Sequence, residues 1–436
     1  MALGGGTFST QNKTLPGTYV NFVSAARASA ALSERGYVTF PLELDWGPED
    51  QIFTVTGEDF QANATRIFGY PYTSDKMKGL RDLFLNARTL YAYRINGGGA
   101  KASNTFAEAK YSGSRGNDLS VVITANVDET GSFDVDTYLG TTKVDSQTAK
   151  TAADLKDNDF VTWIDSAALK ATAKTALTGG ANGTASGDSY AKYLEKVESY
   201  SFNVIGSVVT DESTKRLFAA FTKRMRDQVG VKFQCVLYNY NAADYEGCIS
   251  VKNRVSDSGW PESSAVYWTA GAEAGCAVNR TLQNRKYDGE FTLATDFKQS
   301  DLEDALVAGE FIFHKAGDDV RVLADINTMV TTSEVHGDIF KDNQTIRVCD
   351  QAANDIAALF NTKYLGTVPN DAAGRLSLWS DVVKYHQQLA DIRAIEDFSD
   401  SDITVSQGET KKAVVITDAI TVVNAMDKLY MTVTVA

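Results

Sequence analysis

The stretch YSFNVIGSVVTDESTKRLFAAFTKRMRDQVGVKFQCVLYN, residues 200–239, decides the fold class. Its opening, YSFNVIGSVV, is rich in β-branched and aromatic side chains and reads as a strand. Leu217, Phe221 and Met225 then recur at helical spacing on one stripe, and Gly230 closes that run. VKFQCVLYN returns to a strand. Strand, helix and strand with short joins imply parallel pairing and an open α/β sheet.

The same grammar stands upstream, between Gly36 and Gly99. YVTFPLEL, QIFTV and TLYAYRI read as strands, and GEDFQANATRIFG and DKMKGLRDLFLNA as helices. The chain between these halves differs in kind. YSGSRGNDLSVVITANV, GSFDVDTYLG and TTKVDS are short β-like runs, and TALTGGANGTASGDSYAKY reads as a low-complexity loop. A β-rich domain inserted at an exposed loop explains the interruption. Beyond about Ala270, GEFIFHKAGDDVRVLADI predicts a hairpin around Gly317-Asp318-Asp319. CDQAANDIAALFNTKY and AAGRLSLWSDVVKYHQQLADIRAI predict amphipathic helices, the second with Leu376, Trp379, Val382, Val383, Leu389 and Ile392 on one stripe.

Both ends read as strand-forming arms. Pro16-Gly17 breaks a Gly/Ser/Thr-rich start, after which Tyr19, Val20 and Phe22 suit a short strand. KKAVVITDAITVVNAMDKLYMTVTVA predicts two strands around Asn424-Ala425-Met426-Asp427. In the last one Leu429, Met431, Val433 and Val435 alternate with Tyr430, Thr432 and Thr434. The expected architecture is therefore α/β (α+β, multidomain). An open α/β core spans 23–100 and 191–275, with a β-rich insertion at 101–190. An α+β C-terminal domain covers 276–410, and arms occupy 1–22 and 411–436.

A chain of 436 residues calls for about two to four domains. Its 43% hydrophobic and 22% charged content fits a folded globular protein. A net charge of −14 with no basic run argues against nucleic-acid binding. The start MALGGGTFSTQNK lacks signal-peptide character, and no apolar run reaches the roughly 18 residues of a membrane span. Cys235, Cys248, Cys276 and Cys349 are widely spaced and read as reduced, mostly buried thiols of a protein made in a cytoplasm.

Catalytic chemistry finds no motif. No GxxxxGK[ST] occurs, and the clusters Gly4–Gly6 and Gly97–Gly99 lack the strand–GxGxxG–helix setting of a dinucleotide site. His314, His336 and His386 stand in different elements, so no metal or other cofactor is expected. Gly187-Asp188-Ser189 resembles a hydrolase nucleophile only superficially, since it sits in a Gly/Ala/Thr loop with no nearby histidine. Asp128, Glu129, Asp134 and Asp136 match no calcium loop and read as a solvated hairpin, and EDFSDSD reads as a solvated turn. A hydrolase using Ser189 or an acidic pair in the insertion and a β-rich adhesin or carbohydrate-binding module at 101–190 are the readings from other classes; neither has a supporting motif.

A terminal strand must pair with something, because unpaired edge N–H and C=O groups invite association. It pairs either within its own subunit or with a neighbour; arms at both ends raise the alternative of strand donation, which, if heterologous and not closed into a ring, builds a helical polymer. Six segments in order then carry a resemblance. LPGTYVNF resembles the opening of contractile phage tail sheath proteins of the short Gram-positive-phage or phage-tail-like-particle type. KYSGSRGND resembles the lead-in to that family's inserted domain. ADINTMVT, QTIRVCDQAANDI and YLGTVPNDAAGR resemble its C-terminal domain, and SDITV with VNAMDKLYMTVTV its C-terminal arm.

The resemblance implies a structural subunit, not an enzyme, that polymerises around an inner tail tube and contracts from a metastable extended state. Its partners would be further copies of itself, the tube, and baseplate and tail terminator proteins, with no nucleic acid and no membrane insertion. Its place would be the virion tail or a phage-tail-like particle, assembled in the host cytoplasm; the sheath of a non-phage contractile injection system is the nearest alternative. Carried over by position, Thr18, Tyr19, Val20, Asn21 and Phe22, with Leu429, Tyr430, Met431, Thr432, Val433, Thr434 and Val435, would be the exchanged strands. The C-terminal domain would lie inside against the tube, the insertion outside, and Arg375, Trp379, Lys384 and Gln388 would be candidates for tube contact.

Overall fold

The computed structural model describes residues 31–435. They fall into two units, one of residues 34–351 joined by the chain from Val422, the other centred on residues 352–421. In the larger unit, β1 (Tyr37–Leu42), β2 (Ile52–Thr56) and β3 (Thr89–Arg94) alternate with α1 (Gly57–Phe68) and α2 (Lys78–Phe84). The insertion supplies β4 (Ala107–Ala109), β5 (Leu119–Ala125), β6 (Phe133–Leu139), β7 (Thr142–Ala149), β8 (Val161–Trp163) and β9 (Thr172–Ala176). Then α3 (Gly187–Val197), β10 (Val204–Ser207), α4 (Glu212–Arg224), β11 (Gln234–Tyr238) and β12 (Cys248–Val251) restore the alternation. α5 (Ala265–Gly275), α6 (Gln299–Val307), β13 (Glu310–Phe311), β14 (Phe313–Ala316) and β15 (Asp319–Val322) follow. α7 (Asn343–Leu359) begins in this unit and ends in the smaller one, which holds α8 (Ala372–Asp391), β16 (Ile395–Glu396), β17 (Ile403–Gln407) and β18 (Val414–Asp418); β19 (Thr421–Val422) stands at the boundary.

The core is a seven-stranded sheet in the order β13-β12-β11-β10-β1-β3-β2. Every neighbouring pair is parallel except β2, which runs antiparallel on β3 at the edge. Both faces are covered, so its strands alternate between two cores rather than between core and water. Val38, Phe40, Leu90, Val204, Val236 and Ile249 pack on one face with α2 and α5. Tyr93, Ile205, Cys235, Leu237 and Cys248 pack on the other with α3 and α4. α5 is buried on all sides, from Ala265 to Ala274. That is the expectation for a helix without a polar face in the middle of a fold. α4 carries the Asp211 N-cap, which accepts from the Thr214 amide.

The insertion is a four-stranded antiparallel sheet, β7-β6-β5-β9, with the β4–β8 pair. Leu119, Val121 and Ile123 of β5 share its core with Val135, Val161 and Trp163. Its neck is tight. Ala100 bridges Ala181, and the Gly183 amide donates to the Asn96 carbonyl at 3.1 Å. A Cβ at Gly99 or Gly183 would fall 2.0 Å from the Ala181 or Gly97 carbonyl oxygen, so both positions require glycine.

Three segments differ from the sequence reading. Residues 187–190, read as the end of the insertion's loop, form the first turn of α3, whose Tyr193, Leu194 and Val197 pack on the core sheet. The chain after 276 does not start a new domain: Leu282, Tyr287, Phe291, Phe311 and Phe313 belong to the same buried cluster as Val38 and Trp268. Of the two strands read around residues 424–427, the first forms as β18 and the second joins no strand among the described residues, so the two do not pair. β18 pairs instead with β17, in the register Ile403 opposite Asp418 to Gln407 opposite Val414. The hairpin predicted at 317–319 is present as β14–β15, with Gly317 at φ +64°.

Candidate assembly surfaces

Residues 423–427 of the C-terminal segment are held on the first turn of α7. The Gln344 side-chain amide donates to the Val423 carbonyl at 3.0 Å and its oxygen accepts from the Ala425 amide at 3.1 Å. Asn424 Nδ2 donates to Thr345 Oγ1 at 3.1 Å, and the Gln283 amide donates to the Asp427 carboxylate. Past Asp427 the described chain joins no strand. Leu429, Tyr430 and Val435 are 88%, 88% and 89% exposed, and Met431 and Val433 are also largely exposed.

The anchor under this segment rests on a buried ionic network. Arg347 of α7 is fully buried and reaches Glu273 of α5 at 2.6 Å and Asp325 at 3.2 Å, both also fully buried. Its other amino group donates to the Arg280 carbonyl at 2.6 Å. Burial pushes the Glu273 carboxyl up. Burial pushes Asp325 the same way, but Arg347 and hydrogen bonds outweigh it and hold that carboxyl low. Asp350, one turn on, accepts both amino groups of buried Arg226 at 2.5 and 2.8 Å. A lone charge at such depth is costly; paired and hydrogen-bonded in this way it fixes one arrangement of helix against core.

In the smaller unit, β17–β18 is a two-stranded hairpin, and neither outer edge has a partner strand among the described residues. Its inward side packs Ile403, Val405, Val414 and Ile416 against α8 residues Leu378, Val382 and Val383. The four proposed tube-contact residues of α8 are not equivalent. Trp379 packs on this cluster and donates its indole N–H to the Ile403 carbonyl at 2.9 Å. Arg375 turns back to Asn370, donating to its carbonyl at 3.0 Å and its side chain at 2.9 Å. Lys384 is exposed, and half-buried Gln388 donates to the Lys384 carbonyl at 3.2 Å. Leu376, read as part of the apolar stripe, is 63% exposed because α8 turns that side to solvent. His386 is buried; its Nδ1 lies 2.9 Å from the Val382 carbonyl and its Nε2 3.0 Å from the Asp418 carboxylate.

Thr18 to Phe22 lie outside the described residues. Ser189 sits in the first turn of α3, where its amide donates to the Ser186 cap; the three histidines stand apart, and His336 is exposed. Asp134 and Asp136 are tied across the β6–β7 hairpin to Thr148 and Ser146, and Glu129 pairs with Lys150 at 3.1 Å. No described helix is long and apolar enough to cross a membrane. Sequence reading missed the Gln344–Ala425 anchor, which has no periodic signature. It also missed the Arg347 network, although Glu273 inside the otherwise uncharged AVYWTAGAEAG was a legible sign of a buried partner.

Four family descriptions tile the chain. The tail sheath protein Gp18 domain III N-terminal region matches residues 35–95, and the phage tail sheath β-sandwich domain residues 96–182. The sheath central domain matches 183–328 and the sheath C-terminal domain 336–436. The phage-like element PBSX protein XkdK of Bacillus subtilis is 33% identical over 99% of this chain and 100% of its own. A sheath tail protein from Desulfitobacterium hafniense has 36% identity and a TM-score of 0.79, covering 90% of this chain and 93% of its own. The helical sheath of the anti-feeding prophage in its contracted state has the same fold at 12% identity and a TM-score of 0.57, covering 97% of this chain and 99% of its own.

Proposed function

We propose, from the premise that the chain belongs to the phage tail sheath family, that it is the subunit of a contractile sheath built by strand exchange. The observation that carries this reading is the C-terminal segment. It is anchored as far as Asp427, and then presents strand-patterned apolar residues to solvent. A second copy offers β17–β18 with unpartnered edges. Addition of residues 429–435 to such an edge satisfies backbone groups and covers alternate side chains.

The energetics suit a lattice rather than a dimer. Burying Leu429, Met431, Val433 and Val435 stabilises by about 1.5–3 kcal/mol each. Ordering the segment costs roughly 1–2 kcal/mol per residue. One arm is therefore near balance, and many arms in register hold. The Thr18–Phe22 arm takes the complementary place in this scheme. The sheath surrounds an inner tube and waits behind a kinetic barrier in its extended form. Triggering at the baseplate lets rigid domains repack while paired arms keep subunits connected. A tail terminator closes the far end. Stored conformational energy does the work, so no catalytic residue or nucleotide is assigned. The particle is a virion tail or phage-tail-like device assembled in the host cytoplasm. Of the α8 residues, exposed Lys384 carries the tube contact, since Trp379 and Arg375 are engaged within their own unit.

Negative-stain electron microscopy of the full chain beside a version ending at Asp427 tests the reading. Helical tubes from the first and none from the second are expected. Tubes from both would remove the C-terminal strand from the assembly.

A further inference from the structure

A cleft of about 510 Å³ opens at the C-terminal ends of β1, β3 and β10. This is where chain order reverses in the sheet, since β3 lies on one side of β1 and β10 on the other. Crevices at that position are the usual ligand sites of open α/β sheets, and this volume falls in the range of about 300–1,000 Å³ typical of small-molecule pockets. Strand exchange between subunits makes no use of it.

Its charged lining is mostly acidic, with Lys76 alone basic and paired to Asp45. Glu43, just past β1, and Asp75, ahead of α2, face it, and neither carboxylate has a hydrogen bond or ion pair among the described residues. Tyr267 is more than nine-tenths buried, stacked on Phe40 at 4.6 Å, yet its hydroxyl has no hydrogen-bond partner among the described residues. Tyr190 lines the cleft as well. Burial, and after it the nearby Glu43 charge, pushes both phenols up, Tyr190 to about 12, so both stay neutral and able to accept a hydrogen bond. Trp260, edge-on to Tyr267 at 6.3 Å, and Tyr70 add aromatic walls. Asp45 is already satisfied by the Tyr70 hydroxyl and the Asn182 amide, each at 2.7 Å, with Lys76 at 3.7 Å. Both carboxylates are solvent-exposed, so a neutral guest gains nothing from their charge and an anion is repelled, whereas a cation on a slim apolar stem meets carboxylates, phenol oxygens and ring faces together.

We propose that this cleft binds an ammonium or guanidinium group on an aliphatic chain, with Glu43 as counter-ion and Tyr190 and Tyr267 as acceptors. The group comes from a free aliphatic polyamine or from a lysine or arginine of a second copy, and the test separates the two.

Isothermal titration of the full-length protein with spermidine at low ionic strength is expected to show one saturable site per chain. Glu43→Gln should weaken it about tenfold, the loss of one charge-assisted hydrogen bond. Tyr267→Phe should weaken it several-fold, and Asp304→Asn, on the remote helix α6, should leave it unchanged. Sedimentation assigns the source. Self-association that spermidine reverses and Glu43→Gln removes identifies a second copy's side chain, and a sedimentation profile unaffected by either identifies the free amine. Spermidine binding that Glu43→Gln leaves intact, or no saturable binding together with sedimentation insensitive to Glu43→Gln, would overturn the proposal. So would tighter binding of a neutral oligosaccharide such as maltotriose. The titration and the tube assay alter different residues, so failure of this proposal is distinguishable from failure of the strand-exchange reading.

Discussion

β11 and residues 429–435 both read as strands in the sequence and have opposite fates. Cys235, Val236 and Leu237 are essentially fully buried between β10 and β12, with one face on α5 and the other on α4. Leu429, Met431, Val433 and Val435 are exposed and join no strand among the described residues. Strand-forming composition declares that a segment is fit for a sheet; it does not say which chain supplies the neighbours. The difference lies in context. β11 is preceded by a helix that folds back over it, and residues 429–435 are preceded by an anchor that ends at Asp427.

The sharpest way to break the comparison is to loosen the ground on which the exposed segment stands. Arg347→Met keeps most of the volume but leaves Glu273 and Asp325 buried and unpaired. It should cost about 3–5 kcal/mol, read as a lowered urea midpoint of the larger unit. A loss below about 1 kcal/mol would mean that the network contributes little to holding α7. Next in size, Gln344→Ala removes the two bonds that grip Val423 and Ala425. We expect local opening to become easier by about 1–2 kcal/mol, seen as faster hydrogen exchange at the Ala425 amide with the urea midpoint barely moved. Unchanged exchange there would show that the anchor lies elsewhere.

How much of this was legible follows from the same contrast. The stretch 200–239 declared the α/β core because a buried parallel sheet leaves a local signature: strand, amphipathic helix, strand. The β14–β15 turn was legible for a similar reason, since Gly317 supplies the left-handed residue that the turn needs. The extent of the core beyond 276 was not. Phe291, Phe311 and Phe313 join it through contacts distant in sequence, and no composition shift marks them. Of the two strands read around residues 424–427, the first was legible and forms as β18, paired with Ile403–Gln407, while the segment 429–435 joins no strand among the described residues. In α8 helical spacing placed Leu376 on the packed stripe, but the helix's rotation, set by Leu378, Val382 and Leu389, turns it outward.

A smaller effect tests the smaller unit. Burial by itself would lower the His386 pKa, yet the Asp418 carboxylate and the Val382 carbonyl outweigh it and raise the imidazole above its ordinary value near 6.5. The folded state therefore holds this proton more tightly than the unfolded chain. The stabilisation is complete below about pH 6.5 and fades as pH rises through the elevated folded value. Asp418→Asn should flatten that slope around neutrality, measured as the thermal midpoint of the smaller unit against pH. An equal slope in the variant would assign it to another group.

The smallest expected effect is the one on which the comparison turns. Ending the chain at Asp427 keeps every anchoring bond to α7 and removes only residues that are exposed and unpaired. Surface deletions away from packed features change stability by no more than about 0.5 kcal/mol, so the unassembled chain should melt where the full one does. Deleting β11 residues, by contrast, would remove the middle of a seven-stranded sheet. A clear drop in the melting temperature of the unassembled truncated chain would mean that residues 429–435 find a partner within their own molecule. In that case the segment would belong with β11 as part of the fold, and strand donation would have to rest on the N-terminal arm alone.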